Sequence, residues 1–146
     1  MSTDTVTVLL VEDDDIDAEA IDRAFKRARI ANPIVNASDG IEALEVLRGE
    51  GDQERLSRPY IVLLDLNMPR MNGIEFLEEL RNDPELHDSI VFVLTTSDDD
   101  RDMLAAYAKQ VAGYMIKSKA GEDFIQLIGL LDHYWRVIEM PPLKDN

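Results

Sequence analysis

The sequence predicts an α/β fold: a doubly wound (βα)5 sandwich in which a parallel sheet is covered by helices on both sides, three layers in all. Two observations lead to it. Apolar β-branched runs and helix-periodic segments alternate five times along 146 residues. Three of the runs are dominated by β-branched and other apolar residues, as strands buried on both faces of a parallel sheet are. Alternation of this kind implies right-handed crossovers between parallel strands.

The three strong strands are TVTVLLV (5–11), YIVLLD (60–65) and IVFVLT (90–95), and the weaker PIVNA (33–37) and GYMIK (113–117) fit the same role. Ile16, Ala20, Ile21, Ala24, Phe25 and Ala28 predict one face of the first helix. Ile41, Leu44 and Leu47 predict the second, Ile74, Leu77 and Leu80 the third, and Met103, Leu104, Tyr107 and Val111 the fourth. Phe124, Leu127, Ile128, Leu131, Trp135 and Ile138 keep a helical period longest and predict the fifth. The polar, turn-rich segment RGEGDQERLSRP (48–59) reads as a loop. Without an internal repeat or a linker, residues 1–146 read as one domain, with a core over about 5–139 and a frayed tail at 140–146.

Composition excludes several functions. There is no cysteine, which removes disulfides, thiolate metal sites and cysteine nucleophiles. Thirty acidic against fifteen basic residues give a net charge of −15, which repels nucleic-acid phosphates, so direct nucleic-acid binding is not expected. No apolar run suits a membrane span and the N-terminus lacks a signal-peptide pattern, so a cytoplasmic protein is expected.

Ligands of open parallel sheets bind beyond the carboxyl ends of the strands. At that edge the strong strands end in Glu12 and Asp13, in Asp65 and in Thr95, and the weak fifth ends in Lys117. Taken singly, each has a plain structural reading: Asp65 as a turn residue, Glu12 and Asp13 as helix starters, Thr95 as a β-former, Lys117 as a surface charge. Together they form a constellation. Gathered carboxylates repel by ~4 kcal/mol per pair at about 4 Å and an effective dielectric near 20. A hard cation such as Mg²⁺ relieves that repulsion, and Lys117 supplies further positive charge. A carboxylate beside Mg²⁺, a lysine and a hydroxyl is the equipment of phosphoryl transfer, with Asp65, on the central strand, as nucleophile.

These residues resemble the receiver domain of two-component response regulators. VEDD (11–14), LLDLNMPRMNG (63–73), VLTTS (93–97) and GYMIKS (113–118) carry the likeness, in that order and over nearly the whole chain. The resemblance implies a flavodoxin-like sheet of order 2-1-3-4-5, with Asp65 as phosphoacceptor for a sensor histidine kinase. It implies Mg²⁺ held by Glu12, Asp13, Asp65 and the backbone carbonyl of Asn67. Thr95 and Lys117 would contact the phosphoryl group, Tyr114 would be the aromatic switch, and Asn67 and Ser97 would tune the lifetime of the product. Such a protein is a phosphoacceptor, not a turnover enzyme.

Two departures stand out. Ser118 follows Lys117 where the family usually has a proline in cis, and a cis bond without proline costs ~2.5–4 kcal/mol. Glu12 stands where many relatives have aspartate. The chain ends soon after the fifth helix, which is the pattern of a stand-alone receiver. Beside its core stripe that helix offers Leu127, Leu130, Tyr134 and Val137, from which a symmetric homodimer is expected. The long connection after the second helix, LTTS (94–97) and DHYWRVIEMPP (132–142) are similar to the small receivers of bacterial phytochrome histidine kinases.

Competing readings are weaker. FMN needs a phosphate-cradling loop where this chain has EDDD. The calcium-loop likeness of Asp13, Asp15 and Asp17 fails at Ala18 and Ala24. An aspartate phosphatase would carry a second aspartate where Asn67 stands. His87 and His133 read as surface residues. A degenerate receiver that only binds partners is the remaining alternative.

Overall fold

A computed structural model describes residues 6–27 and 29–116. The element order is β1 (Thr7–Val11), α1 (Asp15–Arg27), β2 (Ile34–Ala37), α2 (Gly40–Arg48), β3 (Tyr60–Leu64), α3 (Gly73–Asn82), β4 (Ile90–Thr95), α4 (Asp100–Ala108) and β5 (Gly113–Ile116). All strand pairs are parallel, and the sheet runs β2-β1-β3-β4-β5. The expected architecture is therefore the observed one. The segment expected to form a fifth helix, with Leu127, Leu130, Tyr134 and Val137, lies outside the described residues, as do Lys117, Ser118, Ala28 and His133.

Successive strand residues face opposite sides, so the sheet divides the core in two. On one side Leu9, Val11, Val62, Leu64, Val91 and Val93 pack against α2, α3 and Ala106 of α4. On the other side Val8, Leu10, Ile61 and Leu63 pack against Ile21, Ala24 and Phe25 of α1. Continuous apolarity in β3, buried at all five positions, follows from this two-sided cover.

Two predicted helix faces need correction. In α1 the buried stripe is Ile21, Ala24 and Phe25, while Ile16 is 75% exposed and Ala20 is also exposed. At about 100° per residue, Ile16 and Ala20 fall roughly 130° and 90° from the centre of that stripe. In α4 the buried residue is Ala106, Met103 is half-buried, and Leu104 (72%) and Tyr107 (48%) face outward. Leu104 sits roughly 160° around the helix from Ala106. A small residue carries the contact that the larger ones were expected to make. In α3, Phe76 is fully buried beside Leu77 and Leu80, an addition to the expected face.

The polar segment after α2 is a loop, as expected, and its arginines pin it to the α3–β4 connection. Arg55 reaches Glu85 at 3.3 Å and Arg58 reaches Asp88 at 2.6 Å, while Arg48, the last residue of α2, reaches Asp83 through Nε at 2.9 Å. Arg58 also lies over the ring of Tyr60, 5.5 Å from its centroid, and the Tyr60 hydroxyl shares a 2.6 Å hydrogen bond with Ser89. Arg81, near the end of α3, donates to four backbone carbonyls: Lys109, His87 and Ser89 at 2.7 Å and Gln110 at 2.9 Å. One guanidinium thus fixes α3 to both ends of the β4–α4 unit.

Candidate functional site

Strand register builds the site. Val11 of β1 lies opposite Leu64 of β3, so the residues that follow, Glu12 and Asp65, leave the sheet at the same level. Their backbones stay tied to it: the Asp65 N–H donates to the Val11 carbonyl at 3.0 Å, and the Glu12 N–H donates to the Ala37 carbonyl at 2.9 Å. Carboxylate oxygens of Glu12, Asp13 and Asp65 all lie within 4.8 Å of one another. Glu12 (3%) and Asp65 (7%) are buried, while Asp13 is exposed.

Neighbouring residues fill the capping roles at these helix starts. Asp14 caps α1, accepting from the N–H groups of Ile16 at 2.8 Å and Asp17 at 3.1 Å. Glu12 and Asp13 are thereby left clear of that duty, although Glu12 accepts from the Asp14 N–H at 3.2 Å. Asn72 caps α3 in a reciprocal capping box with Glu75. The Asp65 carboxylate accepts from the N–H of Asn67 at 3.2 Å.

Three acidic oxygens at this spacing repel one another unless a cation joins them. The donor set is oxygen alone, two of its members are buried and one opens to solvent, which fits a hard divalent ion that keeps some of its waters. Beside it opens a cleft of about 460 Å³, lined by Asp13, Asn67, Met68, Pro69, Asn72 and Asp102 among others.

The loop from Asp65 to Gly73 is held from several sides. Leu66 is buried and its carbonyl accepts from the Gly73 N–H at 3.0 Å. A Cβ at Gly73 would lie 2.7 Å from Leu66 Cα and 2.8 Å from the carbonyl oxygen of Asp65, which explains the glycine by close approach. Arg70 adopts a φ of 61° and donates through Nε to Asp39 at 2.7 Å. Asp39 caps α2, accepting from the Glu42 N–H at 2.9 Å. Burial alone would raise the pKa of Asp39. The bond and charge of Arg70 and the N–H groups of Glu42 and Ile41 outweigh it and hold the carboxyl below its ordinary range. The Asp39 and Arg70 tie was not anticipated, because nothing local could pair residues 31 apart.

Thr95 ends β4, the strand next to β3, and is fully buried. Its hydroxyl oxygen accepts from the Ser97 N–H at 3.4 Å. Tyr114, half-buried on β5, donates its hydroxyl to the Ser97 carbonyl at 2.9 Å. Burial raises the Tyr114 pKa, the bond to Ser97 lowers it, and the carboxylates of Asp102, Asp99 and Asp65 raise it further, so the hydroxyl stays a donor. The side chain of Asn67 is exposed. His87 stands after α3, exposed, away from these groups.

Residues 8–129 match the family model of the response regulator receiver domain. Response regulator Rcp1 of Synechocystis sp. is 34% identical over 128 residues, which cover 88% of this chain and 87% of that protein. A probable methanogenesis regulatory protein, FilR2 of Methanothrix harundinacea, is 38% identical over 133 residues, covering 90% and 84% respectively. Among solved structures, the phosphorylated cyanobacterial phytochrome response regulator RcpA superposes with a TM-score of 0.84 at 33% identity, covering 94% of this chain and 99% of that one. The Mn²⁺-bound form of Rcp1 superposes with a TM-score of 0.82 at 32% identity, covering 93% and 99%.

Proposed function

The chain belongs to the response regulator receiver family, and on that premise we propose that it accepts a phosphoryl group on Asp65 from a histidine kinase and signals through the change this makes in its surface. The observation that carries the proposal is the meeting of Glu12, Asp13 and Asp65 at the carboxyl edge of two in-register strands. In the transfer, an Asp65 oxygen forms a bond to phosphorus as the bond from phosphorus to the donor imidazole nitrogen breaks, and the released imidazole takes a proton from solvent. Asp65 becomes an acyl phosphate.

Glu12, Asp13, Asp65 and the Asn67 carbonyl would hold a divalent cation, Mg²⁺ by this reading. When bound, that ion supplies the positive charge that lets an anionic phosphoryl group approach an anionic acceptor. Thr95 already accepts a hydrogen bond from Ser97, which leaves its own proton to donate to a phosphoryl oxygen. Lys117, by the family resemblance, pairs with the same group. Tyr114 and Ser97 couple the event to α4 and β5. The chain is a phosphoacceptor rather than a turnover enzyme in this account, and it works in the cytoplasm.

Rcp1-like and RcpA-like relatives support a bacterial phytochrome as the kinase partner, and phosphotransfer from such a kinase tests that. Dimerisation through the fifth helix is a separate proposal, tested by light scattering with and without phosphodonor. The central test is intact mass after incubation with acetyl phosphate. One labile phosphoryl group should appear with Mg²⁺, little without it, and none in Asp65→Asn; an unmodified wild-type chain would overturn the acceptor reading.

A further inference from the structure

Each polar group of Ser97 has a different neighbour. Its N–H donates to Thr95 Oγ1 at 3.4 Å, its carbonyl accepts from Tyr114, and its hydroxyl donates to Asp102 Oδ2 at 2.6 Å. The same hydroxyl accepts from the Asp99 N–H at 3.4 Å. Asp99 is the N-cap of α4, which makes Asp102 the third helical residue. An acid there ordinarily reaches back to the N-cap N–H. Here the serine hydroxyl occupies that N–H, and the Asp102 carboxylate takes the serine proton instead. Asp102 is thereby drawn to the wall of the cleft that Asp13 and Asn67 also line. Both its charge and that of Asp65 act on the Tyr114 hydroxyl.

We propose that Asp102 is a positioning residue that opposes charge on Asp65: through the Ser97 hydroxyl it latches the first turn of α4 to the loop after Thr95, and a phosphoryl group on Asp65 opens that latch. The inference rests on the acceptor reading of Asp65. Added negative charge at the acceptor repels the Asp102 carboxylate and competes for the hydroxyl that holds it. Coupling of this kind is reciprocal, so a chain without the latch takes up phosphoryl more readily.

The test uses the full chain, with uptake from acetyl phosphate followed by intact mass and amide exchange followed over residues 96–107. Asp102→Asn keeps an oxygen for Ser97 but loses the charge, and should raise the uptake rate about three- to tenfold at low salt, fading at high salt. Asp100→Asn removes the same charge from an exposed position of the same turn and should change uptake little. Ser97→Ala should bring α4 exchange before phosphorylation to the level the wild type reaches afterwards, while Ser97→Thr keeps the hydroxyl and the wild-type pattern. Equal effects of the two asparagine variants, or wild-type exchange in Ser97→Ala, overturn the latch while Asp65→Asn still confirms the acceptor. A wild type that takes up nothing overturns both.

Discussion

Gly73 and Asp65 are in contact through the backbone: a Cβ on Gly73 would sit 2.8 Å from the carbonyl oxygen of the proposed acceptor. The first turn of α3 thus rests directly on the proposed acceptor. Gly73→Ala should destabilise the protein by about 1–3 kcal/mol through overpacking against backbone that has nowhere to retreat. Urea unfolding measures the loss. Phosphoryl uptake should fall in the same variant under conditions where it remains folded, because relief of the clash moves Asp65.

Asp39 makes stability depend on pH. Its folded pKa lies below the unfolded value of about 3.9, so its contribution is fully present above that value and is lost as pH falls through the folded pKa. Asp39→Ala should cost about 0.5–2 kcal/mol at neutral pH, as the loss of a helix cap does. Chemical denaturation at neutral pH and near pH 3 should show the gap between variant and wild type closing at the acidic end. A gap that stays constant would rule out this role.

Arg81 satisfies four carbonyls with one planar group. Lysine carries the charge but not the fork, so Arg81→Lys should cost about 2 kcal/mol or more by leaving part-buried carbonyls without donors. Denaturant midpoints would measure it, and local exchange should rise first around residues 87–89 and 109–110.

The two arginines of the α2–β3 loop are unequal. The Arg58 side chain is 7% exposed and packs on Tyr60, so Arg58→Ala should cost about 2–4 kcal/mol as that packing and the ion pair with Asp88 are lost together. Arg55 is 48% exposed, and Arg55→Ala should cost under about 0.5 kcal/mol. Thermal melts in low and high salt separate them: the small Arg55 effect should disappear in salt, and the Arg58 effect should persist.

Removal of one metal-site acid tests the cation directly. Asp13→Asn deletes the exposed member of the triad and should weaken Mg²⁺ or Mn²⁺ binding by at least tenfold in calorimetric titration. Thermal stability without metal should stay level or rise, since one repelling charge has gone. Unchanged affinity would show that the ion, if bound, sits elsewhere.

The sequence made the architecture legible because two-sided burial leaves a plain mark: β3 is apolar at every position because both faces are covered. The same logic located Glu12, Asp13 and Asp65, since strands that end level deliver their next residues to one edge. Helix faces were harder to read. Ile16, Leu104 and Tyr107 are large and apolar but exposed, while Ala106 is small and buried, and residue type alone does not say which side of a short helix meets the sheet. Pairings across long sequence distance were hidden for another reason. Asp39 with Arg70, Arg81 with the Lys109 and Gln110 carbonyls, and Arg58 with Asp88 depend on how loops approach one another, and no periodicity records that. Ser97 with Asp102 was within local reach, at a spacing of five, yet the ordinary expectation for an acid there was a helix start.

The level exit of β1 and β3 has a further consequence. Where the proposed acceptor stands is dictated by main-chain alignment inside a covered sheet, whereas the exposed groups near it, Asp13 and Asn67, belong to surface turns. On the acceptor reading, address and tempo are therefore written in separate parts of the molecule, and substitutions at Asp13 or Asn67 should alter the pace without relocating the carboxylate.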